Sequence, residues 1–169
     1  MEAILRYMEY IICEIKKTEY SLLDDFLYEA IFIPDGVQPP EKTVIHLPEL
    51  QVYIAGFGKE KDDICFLAEV NDEVVGAVWV RVMNDYGHIE DGVPSFAISL
   101  YKEYRGYGIG TALMKRMLYE LKQRGYKKTS LSVQKANYAV QMYLKVGFDI
   151  VDEHEDEYIM VCDLKKINF

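Results

Sequence analysis

Arg105, Gly106, Gly108, Gly110 and Thr111 are the residues of this 169-residue chain whose types and spacing suit anion chemistry. They lie in the run Arg105-Gly106-Tyr107-Gly108-Ile109-Gly110-Thr111. The β-rich segment Phe96–Leu100 precedes the run, and Ile109, Leu113, Met117 and Leu121 follow at four-residue spacing on one helical face. Glycines between a strand and a helix let a ligand approach the backbone closely. The N–H groups of the first helical turn have no intrahelical partner and point at that ligand. Spacing narrows the choice of anion. A dinucleotide fingerprint needs a third glycine where Thr111 or Leu113 stands, and the Gly-Lys-Ser/Thr ending of a P-loop is missing. What stands here is Arg-x-x-Gly-x-Gly on a strand–turn–helix scaffold.

Charge and composition bound the partners. With 28 acidic against 19 basic residues the net charge is −9, which argues against nucleic acid or an anionic membrane surface and suits a cationic acceptor. No apolar run reaches the roughly 18 residues of a membrane span, and the N-terminus lacks a signal-peptide pattern, so a cytoplasmic protein is expected. Cys13, Cys65 and Cys162 are odd in number, sit in apolar strand-like contexts and show neither disulfide nor metal spacing, so no metal is expected.

The elements that must position the glycine run follow from periodicity. Residues 1–10 read as an N-terminal extension and residues 11–169 as a single α/β domain without repeats or linkers. A first strand is predicted over Ile11–Lys16. A helix follows with Ser21 as N-cap and Asp24 completing a capping box, ending by Pro34-Asp35-Gly36. A second helix is predicted from Pro48 to Gly56. Ile64–Val70 and Val74–Val82 form a hairpin about Asn71-Asp72-Glu73. A polar loop, Met83–Pro94, holds Asp85, His88, Glu90 and Asp91. After the central strand and the glycine run, a helix spans Ala112–Arg124 and is stopped by Gly125. A strand over Lys127–Val133 is followed by a helix over Asn137–Val146 with Gly147 as its C′ residue, and two strands close the chain around the acidic turn Asp152–Glu157. The order is β-α-α-β-β-β-α-β-α-β-β.

The glycine run, this element order and a second run, Asn137-x-Ala139-x-x-x-Tyr143-x-Lys145-x-Gly147-Phe148, together resemble the GCN5-related N-acetyltransferase (GNAT) family over about residues 11 to 165. The resemblance implies a mixed sheet with helices on both faces, splayed between the strand before the glycine run and the strand after the next helix. Acetyl-CoA would lie in that opening as co-substrate. Its pyrophosphate would sit on the backbone of Arg105 to Thr111, with Ser99, Leu100, Asn137 and Tyr143 completing the cofactor-binding set. The resemblance also implies a bulge that frees the Leu100 N–H to polarise the thioester carbonyl.

Acetylating an amine requires a neutral amine, a polarised carbonyl and a proton for the departing thiolate. A lysine-like amine has a pKa of about 10.4, so a proton must be removed at neutral pH. A tyrosine hydroxyl, with a pKa of about 10, is a proton donor there, and motif position assigns that role to Tyr143. Many relatives carry a glutamate on the central strand, whereas Pro94-Ser95-Phe96-Ala97-Ile98-Ser99 holds no carboxylate. Glu90 is taken as the catalytic base, with Asp91 and His88 open alternatives acting through water that Ser95 orders. The acceptor mouth is assigned Tyr53, Trp79, Asp85, Glu90 and Asp91, which suits a cationic small-molecule or peptide amine. A non-catalytic acyl-CoA sensor is the alternative reading, and a homodimer is left open.

Overall fold

The structure, a computed structural model, describes residues 7–169. The leader expected over residues 1–10 thus falls in part outside the described residues, and from its remainder Met8 and Tyr10 pack against the core. The elements run β1 Ile11–Glu14, α1 Leu22–Ala30, α2 Pro48–Gln51, β2 Ile64–Val70, β3 Glu73–Arg81, β4 Ser95–Leu100, α3 Ile109–Gln123, β5 Lys128–Gln134, α4 Ala139–Val146, β6 Phe148–Glu153 and β7 Glu157–Asp163. This is the order read from the sequence.

The strands form one seven-stranded mixed sheet in the spatial order β1-β2-β3-β4-β5-β7-β6. Every neighbouring pair is antiparallel except β4 and β5, which are parallel. Strand alternation sends side chains to two cores. On one face Phe66, Val78, Val80 and Phe96 meet the buried stripe Ile109, Leu113, Met117 and Leu121 of α3, together with Val140 and Tyr143 of α4. On the other, Cys65, Leu67, Ala77 and Trp79 meet Leu23, Phe26 and Leu27 of α1, with Ile54 and Phe57 from the turns after α2. The sheet therefore carries helices on both faces, as expected. Asn71 and Asp72 both adopt positive φ (49° and 65°) and pair Val70 with Glu73, the two-residue turn whose twist matches that of the strands.

Two local expectations are met only in part. Ser21 stands at the N-cap position of α1 as expected, but it is helical in conformation and its side chain makes no cap, because Leu23 N–H and Asp24 N–H donate to the carbonyls of Tyr20 and Ser21. The acidic partner acts earlier, where Lys16 N–H donates to Glu19 Oε2 at 2.7 Å. The second helix stops at Gln51 instead of reaching Gly56. The carbonyls that would continue it are taken from the side: Trp79 Nε1 donates to Tyr53 O at 3.0 Å, and Arg81 Nη1 donates to Val52 O at 3.2 Å and Ala55 O at 2.8 Å.

What positions the site is the parting of β4 from β5. Among the described residues these strands pair at Ser95–Ser130, where Ser130 N–H donates to Pro94 O at 3.0 Å, and diverge toward Leu100. The 82–94 loop is pinned over this junction. Ser130 Oγ donates to Gly87 O at 2.6 Å and Thr129 Oγ1 to Pro94 O at 2.7 Å. A Cβ on Gly87 would stand 3.0 Å from the β5 backbone, so only glycine lets the loop lie this close.

Candidate active site

The glycine run forms an open N-terminal cradle. Gly106 and Gly108 both take positive φ (84° and 83°), a conformation costly for other residues, and among the described residues a Cβ on either would meet nothing within 4 Å. Gly108 is the N-cap of α3, which starts at Ile109, earlier than the Ala112 expected, so Gly110 and Thr111 belong to the first turn. The first intrahelical bond runs from Ala112 N–H to Gly108 O at 3.1 Å. The N–H groups of Ile109, Gly110 and Thr111 are therefore left over, and a glycine N-cap brings no side chain to satisfy them. The first turn also carries no acidic residue to compete for the dipole. The site fits a pyrophosphate: free donors, positive dipole and space at the two glycines.

Arg105 serves the loop's shape. Its Nε donates to Leu100 O at 3.0 Å, folding the run back onto the end of β4, while Nη2 stands 3.8 Å from Glu29 Oε2 on α1. Tyr107 is half-buried against the core beneath the cradle, and Ile109 is fully buried. Gly110 sits where β4, α3 and α4 converge, since a Cβ there would stand 3.4 Å from both Leu100 Cδ1 and Met142 Sδ.

The expected bulge at Leu100 is not present: β3 and β4 pair without a register shift from Arg81–Ser95 to Gly76–Leu100, and the irregularity of β2 lies at Ala68/Glu69. The donor is freed differently. Tyr101 N–H donates to Val75 O at 3.0 Å, toward β3. Successive N–H groups of a strand point to opposite sides, so those of Ile98 and Leu100 point toward β5, into the opening. Ser99 is buried with its hydroxyl committed to Phe26 O at 2.6 Å, which leaves its side chain bracing α1.

Across the opening, Asn137 lies just outside α4, and its Oδ1 accepts Ala139 N–H at 2.9 Å, so its amide NH2 group is the part left to donate. Tyr143 is buried, 8% exposed, with its ring 6.1 Å edge-on from Phe148. Burial, and then the neighbouring Tyr138, push its hydroxyl well above the ordinary tyrosine range, which keeps it protonated.

The carboxylates separate. Glu90 is half-exposed and ion-paired to Lys128 Nζ at 2.5 Å, beyond the N-terminal end of β4. From Ser95 to Leu100 the strand spans about 16 Å, so Glu90 lies at the end away from the glycine run. Asp91 is exposed, 3.9 Å from His88 Nε2, and His88 Nδ1 is buried without a partner. Trp79, expected at the acceptor mouth, is instead fully buried in the core. Asp85 and Tyr53 do meet: Tyr53 donates to Asp85 Oδ2 at 2.9 Å, and Ser95 donates to Asp85 Oδ1 at 2.7 Å. Tyr53 and Asp85 were both expected at one mouth, but the hydrogen bonds themselves join residues 32 and 10 apart in the chain, which no local pattern announces. Among the described residues no His/Cys/Asp/Glu cluster suits a metal ion, and no helix is long and apolar enough to cross a membrane.

Comparison with known proteins agrees with this architecture. The family model Acetyltransferase (GNAT) family matches residues 27–148. The chain is 30% identical over 122 residues to the N-alpha-acetyltransferase of Sulfurisphaera tokodaii, covering 63% of this chain and 72% of that protein. It is 27% identical over 88 residues to the ribosomal protein bS18-alanine N-acetyltransferase of Haemophilus influenzae, covering 52% and 56%. The match thus spans little more than half the length of some curated relatives. In fold the chain is similar to the PaiA N-acetyltransferase of Thermoplasma acidophilum solved with coenzyme A, with a TM-score of 0.68 at 17% identity, over 92% of this chain and 99% of that one.

Proposed function

The chain belongs to the acetyltransferase (GNAT) family, and from that membership we propose that it transfers the acetyl group of acetyl-CoA to an amine by direct attack, as one domain over residues 11–169. The observation that carries the proposal is the uncapped start of α3, with its open glycines and leftover N–H groups beside the parted strands. Coenzyme A supplies an activated acetyl thioester when bound. The residues around it do the rest. The backbone of Gly106 to Thr111 holds the pyrophosphate, with Arg105 fixing the loop and the Asn137 amide donating from α4. The Leu100 N–H, facing the opening, stabilises negative charge on the carbonyl oxygen. The Tyr143 hydroxyl is kept protonated and gives its proton to the departing sulfur. The amine loses one proton before attack and a second as the amide forms. One of these reaches the thiolate through Tyr143 and the other leaves to solvent, so no covalent enzyme species is required.

Glu90 fits the role of base less well than the sequence suggested, because it stands beside Lys128 at the end of β4 away from the glycine run. Its part in this reading is restricted to relaying a proton through water. The acceptor is a cationic small-molecule or peptide amine, in keeping with the net charge of −9. Free CoA released from acetyl-CoA, measured across polyamine, aminoglycoside, peptide and anionic amino acceptors, tests the proposal. Release with a cationic amine is expected. Tight acetyl-CoA binding with no release on any acceptor would instead assign a non-catalytic acyl-CoA sensor.

A further inference from the structure

Among the described residues the Asp85 carboxyl group has hydrogen-bond donors but no cationic partner. It is half-buried. Asp63, buried nearby, has Arg81 at 2.9 Å. Taking a carboxylate partly out of water is unfavourable unless donors and a cation compensate. Asp85 has the donors only: Tyr53 on Oδ2 at 2.9 Å and Ser95 on Oδ1 at 2.7 Å. An ionised carboxylate offers about four lone-pair sites, so roughly two remain.

Those two hydroxyls come from separate elements and fix the carboxylate's plane. Ser95 is fully buried in β4 at the residue where β4 still pairs with β5. Tyr53 leaves the turn after α2, and burial, then the charge of Asp85, holds its hydroxyl far above the ordinary range, so it serves only as a donor. The charge of Glu157, at the start of β7 across the opening, acts on the same hydroxyl and adds negative potential there. The place is the root of the sheet opening, on the face of α1, away from the glycine cradle.

We propose that Asp85, aligned by Tyr53 and Ser95, is the anchor that binds an ammonium group of the acceptor at the root of the opening. The inference rests on the acetyl-transfer reading and deepens it, naming the residue that sets acceptor class. The ammonium is the cation the site lacks, and its N–H donors fill the remaining lone-pair sites. A metal ion is disfavoured, since no second ligand cluster stands beside Asp85 among the described residues.

Calorimetric titration of the CoA-saturated protein with spermidine tests this directly. Wild-type protein should bind, Asp85→Asn should weaken spermidine at least tenfold, and Tyr53→Phe and Ser95→Ala should weaken it less. CoA affinity and the thermal midpoint should stay near wild type in each variant. Spermidine binding unchanged in Asp85→Asn, or absent from the wild type, overturns the proposal. Equal losses of spermidine and CoA binding also overturn it, because Asp85 would then only latch the 82–94 loop. Failure of the acetyl-transfer reading is seen separately, as no CoA release from any acceptor while Asp85-dependent amine binding persists.

Discussion

Gly108 combines two properties that no side chain could supply together. Its φ of 83° ends the loop at the helix start, and its missing Cβ leaves the approach to the first-turn N–H groups open. Gly108→Val should therefore cost roughly 1–2 kcal/mol in backbone strain yet remove most acetyl-CoA affinity, because the added side chain would fill space that the described residues leave open. Calorimetry giving wild-type affinity for the folded variant would move the pyrophosphate elsewhere. At Tyr143 the packing and the hydroxyl can be separated. Tyr143→Phe keeps the contact with Phe148, so CoA affinity should hold while kcat falls about 10²–10⁴-fold. The sign of its titration adds a second check. A hydroxyl held above the ordinary range stays protonated below it, so the wild-type kcat profile should show no Tyr143-dependent fall below about pH 10. A descending limb near neutral pH that vanishes in Tyr143→Phe would contradict that.

Among the elements, the stretch after α2 shows how side chains can overrule a helix. Residues 48–56 have the Pro start and apolar spacing of a longer helix, but Arg81 and Trp79 draw carbonyls sideways and Asp63 holds Arg81 from behind. Asp63 has a side chain only 1% exposed, so removing its partner strands a buried charge. Arg81→Met should destabilise the protein by roughly 3–5 kcal/mol in urea unfolding. Pairing it with Asp63→Leu should recover a good part of that. Because Tyr53 hangs from the same turn, Arg81→Met should also weaken amine binding more than CoA binding. Stability within experimental error of wild type would show that the ion pair is not what shapes this turn.

For the whole molecule, a net charge of −9 and the Asp85 carboxylate, without an ion pair among the described residues, should draw cationic acceptors by a field that salt screens. Raising ionic strength from about 0.01 M to 0.1 M shortens the Debye length from roughly 30 Å to 10 Å. The kcat/KM of a polyamine should fall several-fold across that range, while that of a neutral amine stays level. A flat response for both would confine recognition to short-range contact.

The glycine run, the order of strands and helices and the 71–72 turn were legible because each rests on a few consecutive residues: hydrophobic period, left-handed glycines, two residues suited to positive φ. The mixed sheet and its opening were legible only through family resemblance, and the opening frees the Leu100 N–H without the bulge that resemblance implied. Tertiary structure alone decided that Glu90 pairs with Lys128, that Trp79 is core, that the second helix stops at Gln51, and that Asp85 meets Tyr53 and Ser95. The reason is physical. Periodicity and turn chemistry act between neighbours in the chain, whereas the partner of a carboxylate or a free carbonyl is chosen by whichever donor the packed sheet brings within hydrogen-bond distance, however far away it lies in sequence.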